Sequence, residues 1–167
     1  KNAKTDLGGL LLDFDVSVPV PHRPGTDGTG IYWRTGTFVP AYPMVQHVKI
    51  QPVMTASSTD KERREFFAML DLKASERWVQ LDRSKVGVRR DSPASIEVTL
   101  DPKKLTKPGF HEARIVGTIR GVQGPVVTIP VYVVTPYTFT TPETRARTFS
   151  GSMKPGDIDR MYLAVPA

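Results

Sequence analysis

Between residues 65 and 134 the chain repeats one pattern: a short run rich in β-branched and aromatic residues, closed by Pro, Gly or Asp. The runs are Glu65 to Leu72, Trp78 to Leu81, Ser95 to Leu100, Phe110 to Ile119 and Val126 to Val134. Runs of this length and composition, bounded in this way, read as strands. In Ile96-Glu97-Val98-Thr99-Leu100 the apolar side chains fall on one face and the polar ones on the other, as in a half-buried strand. A series of such strands predicts two sheets packed face to face. The expected fold is an all-β sandwich with flanking extended segments, which serves as a scaffold or binding module before it serves as an enzyme.

The remaining segments extend this reading. Residues 7 to 20 read as a strand, Pro21 to Gly30 as a loop, and Ile31 to Arg34 as a short strand. Val45 to Met54 alternates around Pro52 and reads as an edge strand, because proline cannot donate to a ladder. Thr55 to Arg64 is polar and reads as a loop. A helix can be drawn through Lys61 to Leu72, but a strand from Phe66 on fits better, with Phe66, Ala68 and Leu70 opposing Phe67, Met69 and Asp71. Asp101-Pro102 and Lys107-Pro108-Gly109 form a corner that crosses between sheets, and Gly121 to Pro125 closes a hairpin. Residues 137 to 147 read as a linker. From Thr148 to Val165 strand, a Lys154-Pro155-Gly156 turn and strand are expected, as the opening of a further β-domain.

The 15 prolines and 13 glycines cluster between the runs, which favours turns over helices. Cysteine is absent, so there is no disulfide or thiolate metal site, a composition that fits cytoplasmic and secreted chains alike. No apolar run reaches the ~18 residues of a membrane helix. The first residues carry neither Met nor a signal peptide's apolar stretch, and the expectation is a piece of a longer chain.

A net charge of +6 raises nucleic acid as a partner. The basic residues, however, are scattered over Arg63-Arg64, Lys85 with Arg89-Arg90, Lys103-Lys104 with Lys107, and Arg145 with Arg147, mostly at predicted turns. A nucleic-acid groove interleaves such charges with exposed aromatics. Here Phe66, Phe67, Trp78, Phe110 and Tyr132 lie within the strand runs and read as core. No nucleic-acid or membrane partner is expected.

Thr26-Asp27-Gly28-Thr29-Gly30 lacks the Gly-Lys-Ser/Thr ending of a phosphate loop and reads as a flexible turn. His22, His47 and His111 are the only histidines, and no pair has metal-ligand spacing. His111 and Glu112 are neighbours on a strand and point to opposite faces, so they form no acid–base pair. No serine lies in a Gly-x-Ser-x-Gly elbow. The expected site inventory is therefore empty: no catalytic, cofactor-binding or metal residue, and no cofactor.

A set of short motifs adds a resemblance. Gly30-Ile31-Tyr32-Trp33-Arg34 comes first, then Trp78-Val79, Ile96 to Pro102, Leu105 with Pro108 to Glu112, Ile115 to Gly117, Gly124-Pro125 and Ile129 to Val131. In order and spacing these resemble the immunoglobulin-like region that follows the catalytic domain in the tripeptidyl peptidase II family of subtilisin-like serine peptidases. Phe149, Lys154 to Ile158 and Val165-Pro166 resemble the start of that family's next β-domain. The stretches 35–44 and 55–64 depart from the pattern. None of the family's catalytic motifs is present, so no catalytic residue carries over. The resemblance implies an immunoglobulin-like sandwich at 30–136, led by a strand and loop at 1–29 and followed by a linker and opening strands at 137–167. It further implies a non-catalytic segment whose partners are the catalytic and following β-domains of its parent chain, in a homo-oligomer. The alternative reading is a stand-alone carbohydrate- or protein-binding module, for which exposed coplanar aromatics are the discriminator. Tyr32, Trp33 and Tyr42 are the candidates, and Trp33 reads as core.

Overall fold

The computed structural model describes residues 5–7, 10–20, 23–34, 44–89, 92–137, 139 and 148–164. The expected positions His22, Tyr42, Arg145 and Arg147 lie outside them, as does most of the 137–147 linker. In chain order the strands are β1 (Thr5–Leu7), β2 (Leu10–Pro19), β3 (Asp27–Gly28), β4 (Ile31–Arg34), β5 (Met44–Met54), β6 (Phe67–Ala74), β7 (Val79–Leu81), β8 (Lys85–Arg89), β9 (Ala94–Leu100), β10 (Gly109–Ile119) and β11 (Val127–Thr135). One helix, α1 (Asp60–Glu65), joins β5 to β6, and a single 3-10 turn spans Pro102–Lys104. Sheet one runs β1-β2-β5-β9-β7 with β3 attached to β2, and sheet two runs β4-β11-β10-β6-β8. The fold is the expected all-β immunoglobulin-like sandwich.

Alternation decides which face each strand buries. In β6 Ala68, Leu70 and Leu72 are buried while Phe67 and Met69 are exposed. In β9 Ile96, Val98 and Leu100 are buried; in β10 Ala113, Ile115 and Ile119; in β11 Ile129, Val131 and Val133. These join Phe14 and Val18 of β2 in one core between the sheets. Each fully buried Leu, Ile or Val contributes about 1.5–3 kcal/mol relative to exposure, which makes this shared core the main stabilising element. Trp78 sits in the turn before β7 and is buried in the same core. Its carbonyl accepts the Asp101 amide at 2.9 Å, which ties the turn to the end of β9.

The connections follow local chemistry. Asp101 caps the 3-10 turn by accepting the Lys103 amide at 3.1 Å, and Leu105 is buried beyond it. Gly109, at φ +138°, then turns the chain into β10 in a conformation that side-chain-bearing residues rarely adopt. This is the expected corner, and it crosses from sheet one to sheet two. Near the end of β10, Gly117 lies opposite Val127 on one side and Leu72 on the other. A Cβ there would come within 2.4 Å of Val127 Cγ1, so the neighbouring side chains already occupy the space glycine leaves.

Three elements differ from expectation. The polar 55–64 stretch holds most of α1, whose start is a capping box: Glu62 donates its amide to the Thr59 hydroxyl at 3.3 Å, and the Thr59 amide donates to the Glu62 carboxylate at 2.7 Å. Lys85 to Arg89 is a strand rather than a turn, because it pairs beside β6 and points Val86 and Val88 into the core between the sheets. β5 pairs on both sides rather than lying at an edge: β9 covers Met44 to Ile50 and β2 covers Lys49 to Met54. Pro52 falls where only β2 is paired, so its missing N–H interrupts no second ladder.

Candidate interaction surfaces

The residues with chemical potential are dispersed. His47 is on the exposed face of sheet one, opposite Glu97 in the β5–β9 register, with Nδ1 3.8 Å from its carboxylate. His111 is on β10, where its Nε2 donates to the Lys107 carbonyl at 2.8 Å and its ring meets the edge of Trp78 at 6.5 Å. Glu112 points the other way and pairs with Arg114 at 3.1 Å. Thr26 to Gly30 is partly ordered by pairing: Val18 with Gly28 and Pro19 with Asp27, with the Ser17 hydroxyl donating to Asp27. Among the described residues no three His, Asp or Glu side chains converge as a metal site, and no helix is long and apolar enough to cross a membrane.

The exposed sheet faces carry more information. Sheet one presents Asp15, His47, Lys49, Gln51, Ser95 and Glu97, a polar surface in which Val45 and Val53 are the large apolar residues. Sheet two is different. Phe67 is 56% exposed and Phe110 50% exposed, so both belong to the surface and correct the reading of them as core. The parity of their strands places them outward: Phe67 shares its face with Met69, and Phe110 with Glu112 and Arg114. Phe66 and Trp78 are buried as expected, whereas Tyr132 is half-buried on the outer face opposite Glu112 and outside the shared core, which corrects the reading of it as core.

Two apolar patches result. At one end of sheet two, Tyr32 lies beside Tyr132 in the β4–β11 register, and Phe110 stacks on Tyr132 with centroids 5.4 Å apart and planes at 25°. Tyr32 is exposed, whereas Trp33 turns inward against the core, as expected. Phe110 and Tyr132 cover one another's faces, so they do not form the flat row of free rings that a sugar-binding platform requires. At the other end, Phe67 and Met69 lie beside Gly87, with the Arg89 guanidinium 6.0 Å from the Phe67 ring centre.

Beyond β11 the chain returns to the first patch. Tyr137 and Leu163 form a parallel bridge: the Tyr137 amide donates to the Tyr162 carbonyl at 2.7 Å and the Ala164 amide to the Tyr137 carbonyl at 2.9 Å. Tyr137 also meets Phe149 edge-on at 5.0 Å. Val134 and Ala164 are buried, yet stand outside the core the two sheets share. An open depression of about 900 Å³ separates this segment from the start of β10, lined by Phe110, Tyr137, Phe149, Ile158 and Met161 among others. The Lys154-Pro155-Gly156 turn forms, closed by the Asp157 amide on the Lys154 carbonyl at 3.0 Å. The strands expected around it do not form: 151 to 161 are exposed and pair with nothing beyond the bridge at Leu163.

The family model described as tripeptidyl-peptidase II, first Ig-like domain, matches residues 12–134. That span begins within β2 and ends within β11, so it starts earlier than the motifs placed the resemblance and stops before the C-terminal segment. Among solved structures, the chain is similar to the crystal structure of tripeptidyl peptidase 2 (TPP II), with 29% identity and a TM-score of 0.63 over 80% of this chain. It spans 10% of the length of that protein. A weaker likeness, to the C. elegans MSP family member WR4, has 7% identity and a TM-score of 0.36, with coverage of 64% of this chain and 92% of that one. No curated protein matches.

Proposed function

Because the chain belongs to the family of the first immunoglobulin-like domain of tripeptidyl peptidase II, we propose that it is a non-catalytic structural domain of a subtilisin-type serine peptidase of that kind. In this reading it braces the catalytic domain, contacts the β-domain that follows and aids assembly of a homo-oligomer. The peptidase triad lies elsewhere in the parent chain, and neither nucleic acid nor a membrane is a partner. The observation that carries the reading is the family match over 12–134, which takes in strands of both sheets. The surface is compatible with it. Sheet two exposes large apolar side chains at both ends, as expected of a module that covers them against neighbours.

The test uses the parent peptidase. Tyr32→Glu with Phe110→Glu places charge on half-exposed sites of sheet two, and Val45→Glu with Val53→Glu does the same on sheet one. At least one pair is expected to lower the assembled mass in sedimentation velocity and to raise the susceptibility of the catalytic domain to proteolysis. Wild-type mass, activity and protease resistance for both pairs overturn the bracing role. The isolated chain is expected to release no tripeptide from a free N-terminus; inhibitor-sensitive hydrolysis lost on mutating one of its serines overturns its non-catalytic assignment.

A further inference from the structure

The outer edge of sheet two at β4 carries open backbone groups whose order follows from the ladders behind it. Ser75 donates its amide to the Arg114 carbonyl at 2.9 Å, and the Arg114 amide donates to the Ser75 hydroxyl at 3.0 Å. Arg114 therefore spends its backbone groups on the β6 side. Alternate residues of a strand point opposite ways, so Ala113 and Ile115 face β11, opposite Val131 and Ile129. On β11 this leaves Pro130, Tyr132 and Val134 for β4. Pro130 has no N–H, and its carbonyl opens the parallel ladder at Ile31. In the register of Val131 with Ile31 and Val133 with Trp33, Ile31 and Trp33 turn their N–H and C=O to β11. Across each trans peptide the other group points away. The Gly30 carbonyl, both groups of Tyr32 and the Arg34 N–H thus face outward. Among the described residues nothing pairs with them.

This edge is complementary to itself. Antiparallel pairing with a second copy, about a two-fold axis at Tyr32, sets Tyr32 opposite Tyr32 and Gly30 opposite Arg34. Each Tyr32 N–H then meets the other copy's Tyr32 carbonyl, and each Arg34 N–H the other copy's Gly30 carbonyl. A shifted register leaves part of these groups unpaired. The side-chain positions agree. Tyr32 is 51% exposed and falls beside its own copy, a cross-strand aromatic pair of the kind that stabilises sheets. Arg34 falls opposite a residue without a side chain, so no like charges oppose each other. Gly30 is bare for a reason within the fold: a Cβ there would lie 2.6 Å from Pro130 Cγ and 2.7 Å from the Pro130 carbonyl oxygen. Behind Tyr32 lie Tyr132 and the Phe110 ring stacked on it, so the pairing joins the aromatic patches of two copies.

We propose that the outer edge of β4 is a contact between two copies of this chain, made by two-fold antiparallel strand addition at Gly30 to Arg34. The inference rests on the homo-oligomer of the proposed function and names the surface of one of its contacts. An edge this short is far below the roughly 20–30 residues a side of stable complexes. The isolated chain therefore pairs weakly, with a Kd of about 0.1–1 mM. The contact strengthens where other contacts of the parent assembly already hold copies together.

The test compares the isotope-labelled chain at about 2 mM and about 20 μM by NMR diffusion and amide–water exchange. At a Kd in that range, mass action should slow exchange at Tyr32 and Arg34 about two- to fivefold at the higher concentration. Ile31 and Trp33, already bonded to β11, should not change. Tyr32→Pro removes an outward N–H and no rung to β11, so it should abolish the pairing while Leu70 and Ile115 keep their protection. Tyr32→Lys, at an exposed site, opposes like charges across the axis and should weaken pairing at least about tenfold. Phe67→Lys, at the far end of the same sheet, should leave it unchanged. A chain that stays monomeric at 2 mM overturns the proposal, as does a dimer in which the Tyr32 and Arg34 amides do not respond. So does a dimer that survives Tyr32→Pro or Tyr32→Lys, or one that Phe67→Lys weakens equally. None of these results bears on the bracing role, which is read in the parent peptidase.

Discussion

Gly117→Ala is the sharpest test of the packing. In an unstrained strand, replacing Gly by Ala restricts the unfolded chain and stabilises by about 0.4–1 kcal/mol. Here the added methyl would sit 2.4 Å from Val127 Cγ1 and 3.1 Å from Leu72 Cδ2, against about 3.5–4.0 Å for a normal carbon contact. Val127 is 1% exposed and β-branched, so it has neither space nor rotamer freedom to yield. Relieving a conflict of this kind costs about 1–3 kcal/mol. The net expectation is a loss of about 1–2 kcal/mol, opposite in sign to the default. Urea denaturation followed by tryptophan fluorescence and circular dichroism reads it. A double-mutant cycle with Val127→Ala removes the opposing methyl groups and should recover about 1 kcal/mol or more of coupling. A neutral or stabilising Gly117→Ala, or strict additivity with Val127→Ala, refutes the close approach of β10 and β11 at this point.

Trp78→Ala should cost about 3–5 kcal/mol as a large-to-small change in the shared core, with Trp33 left to report unfolding; a loss under about 1 kcal/mol would place Trp78 outside the core. Thr59→Ala removes the hydroxyl half of the capping box and should destabilise α1 by about 1 kcal/mol, seen as faster exchange at the Arg63 amide without change in β9. The bonds from the Thr59 amide and hydroxyl hold the Glu62 carboxyl below the ordinary glutamate range. Since the folded-state value is depressed, this contribution is present above the unfolded value and is lost as pH falls through the folded one. Carbon NMR should show Glu62 titrating below a reference glutamate, and a midpoint at or above the reference contradicts the box. In the C-terminal segment the Ala164 amide should exchange more slowly than those of 151 to 153, yet faster than Ile96 to Leu100; full protection equal to β9 in dilute monomer would make this segment part of the sandwich.

The strands of the core were legible because alternation is strict where one face is buried and the other wet. Ile96-Glu97-Val98-Thr99-Leu100 shows this, and the cross-sheet corner was marked by Asp101-Pro102 and Pro108-Gly109. β8 is masked in the sequence because Gly87 breaks its apolar content and charges close both ends, although Lys-Val-Gly-Val-Arg has the alternation of a strand. α1 is too short for periodicity to reveal, yet its Thr59-x-x-Glu62 box was in plain view. The position of Pro52 pointed to an edge, and at its own ladder position it has one neighbour; what the sequence does not encode locally is that β5 changes partners along its length.

The surface was the least legible part, and the reason is parity. Apolar content alone assigned Phe67 and Phe110 to the core, but neighbouring residues on a strand face opposite ways. Phe66 and Phe67 therefore cannot both be buried in one sandwich core, and Phe110 shares its face with Glu112 and Arg114, which water must reach. Applying that rule turns two supposed core residues into the centres of the two patches on sheet two. It also changes what carries the case against nucleic acid. Exposed aromatics do exist beside cations, since Arg89 lies over Phe67. Phe110 and Tyr132, however, stack on each other, and the two patches lie at opposite ends of the sheet with Glu112–Arg114 and Asp71–Lys85 ion pairs on the same face. A strand of bases needs successive free ring faces along a continuous cationic track. This face instead offers two separate apolar patches with charges of both signs on the same surface, a layout that fits the docking role proposed above.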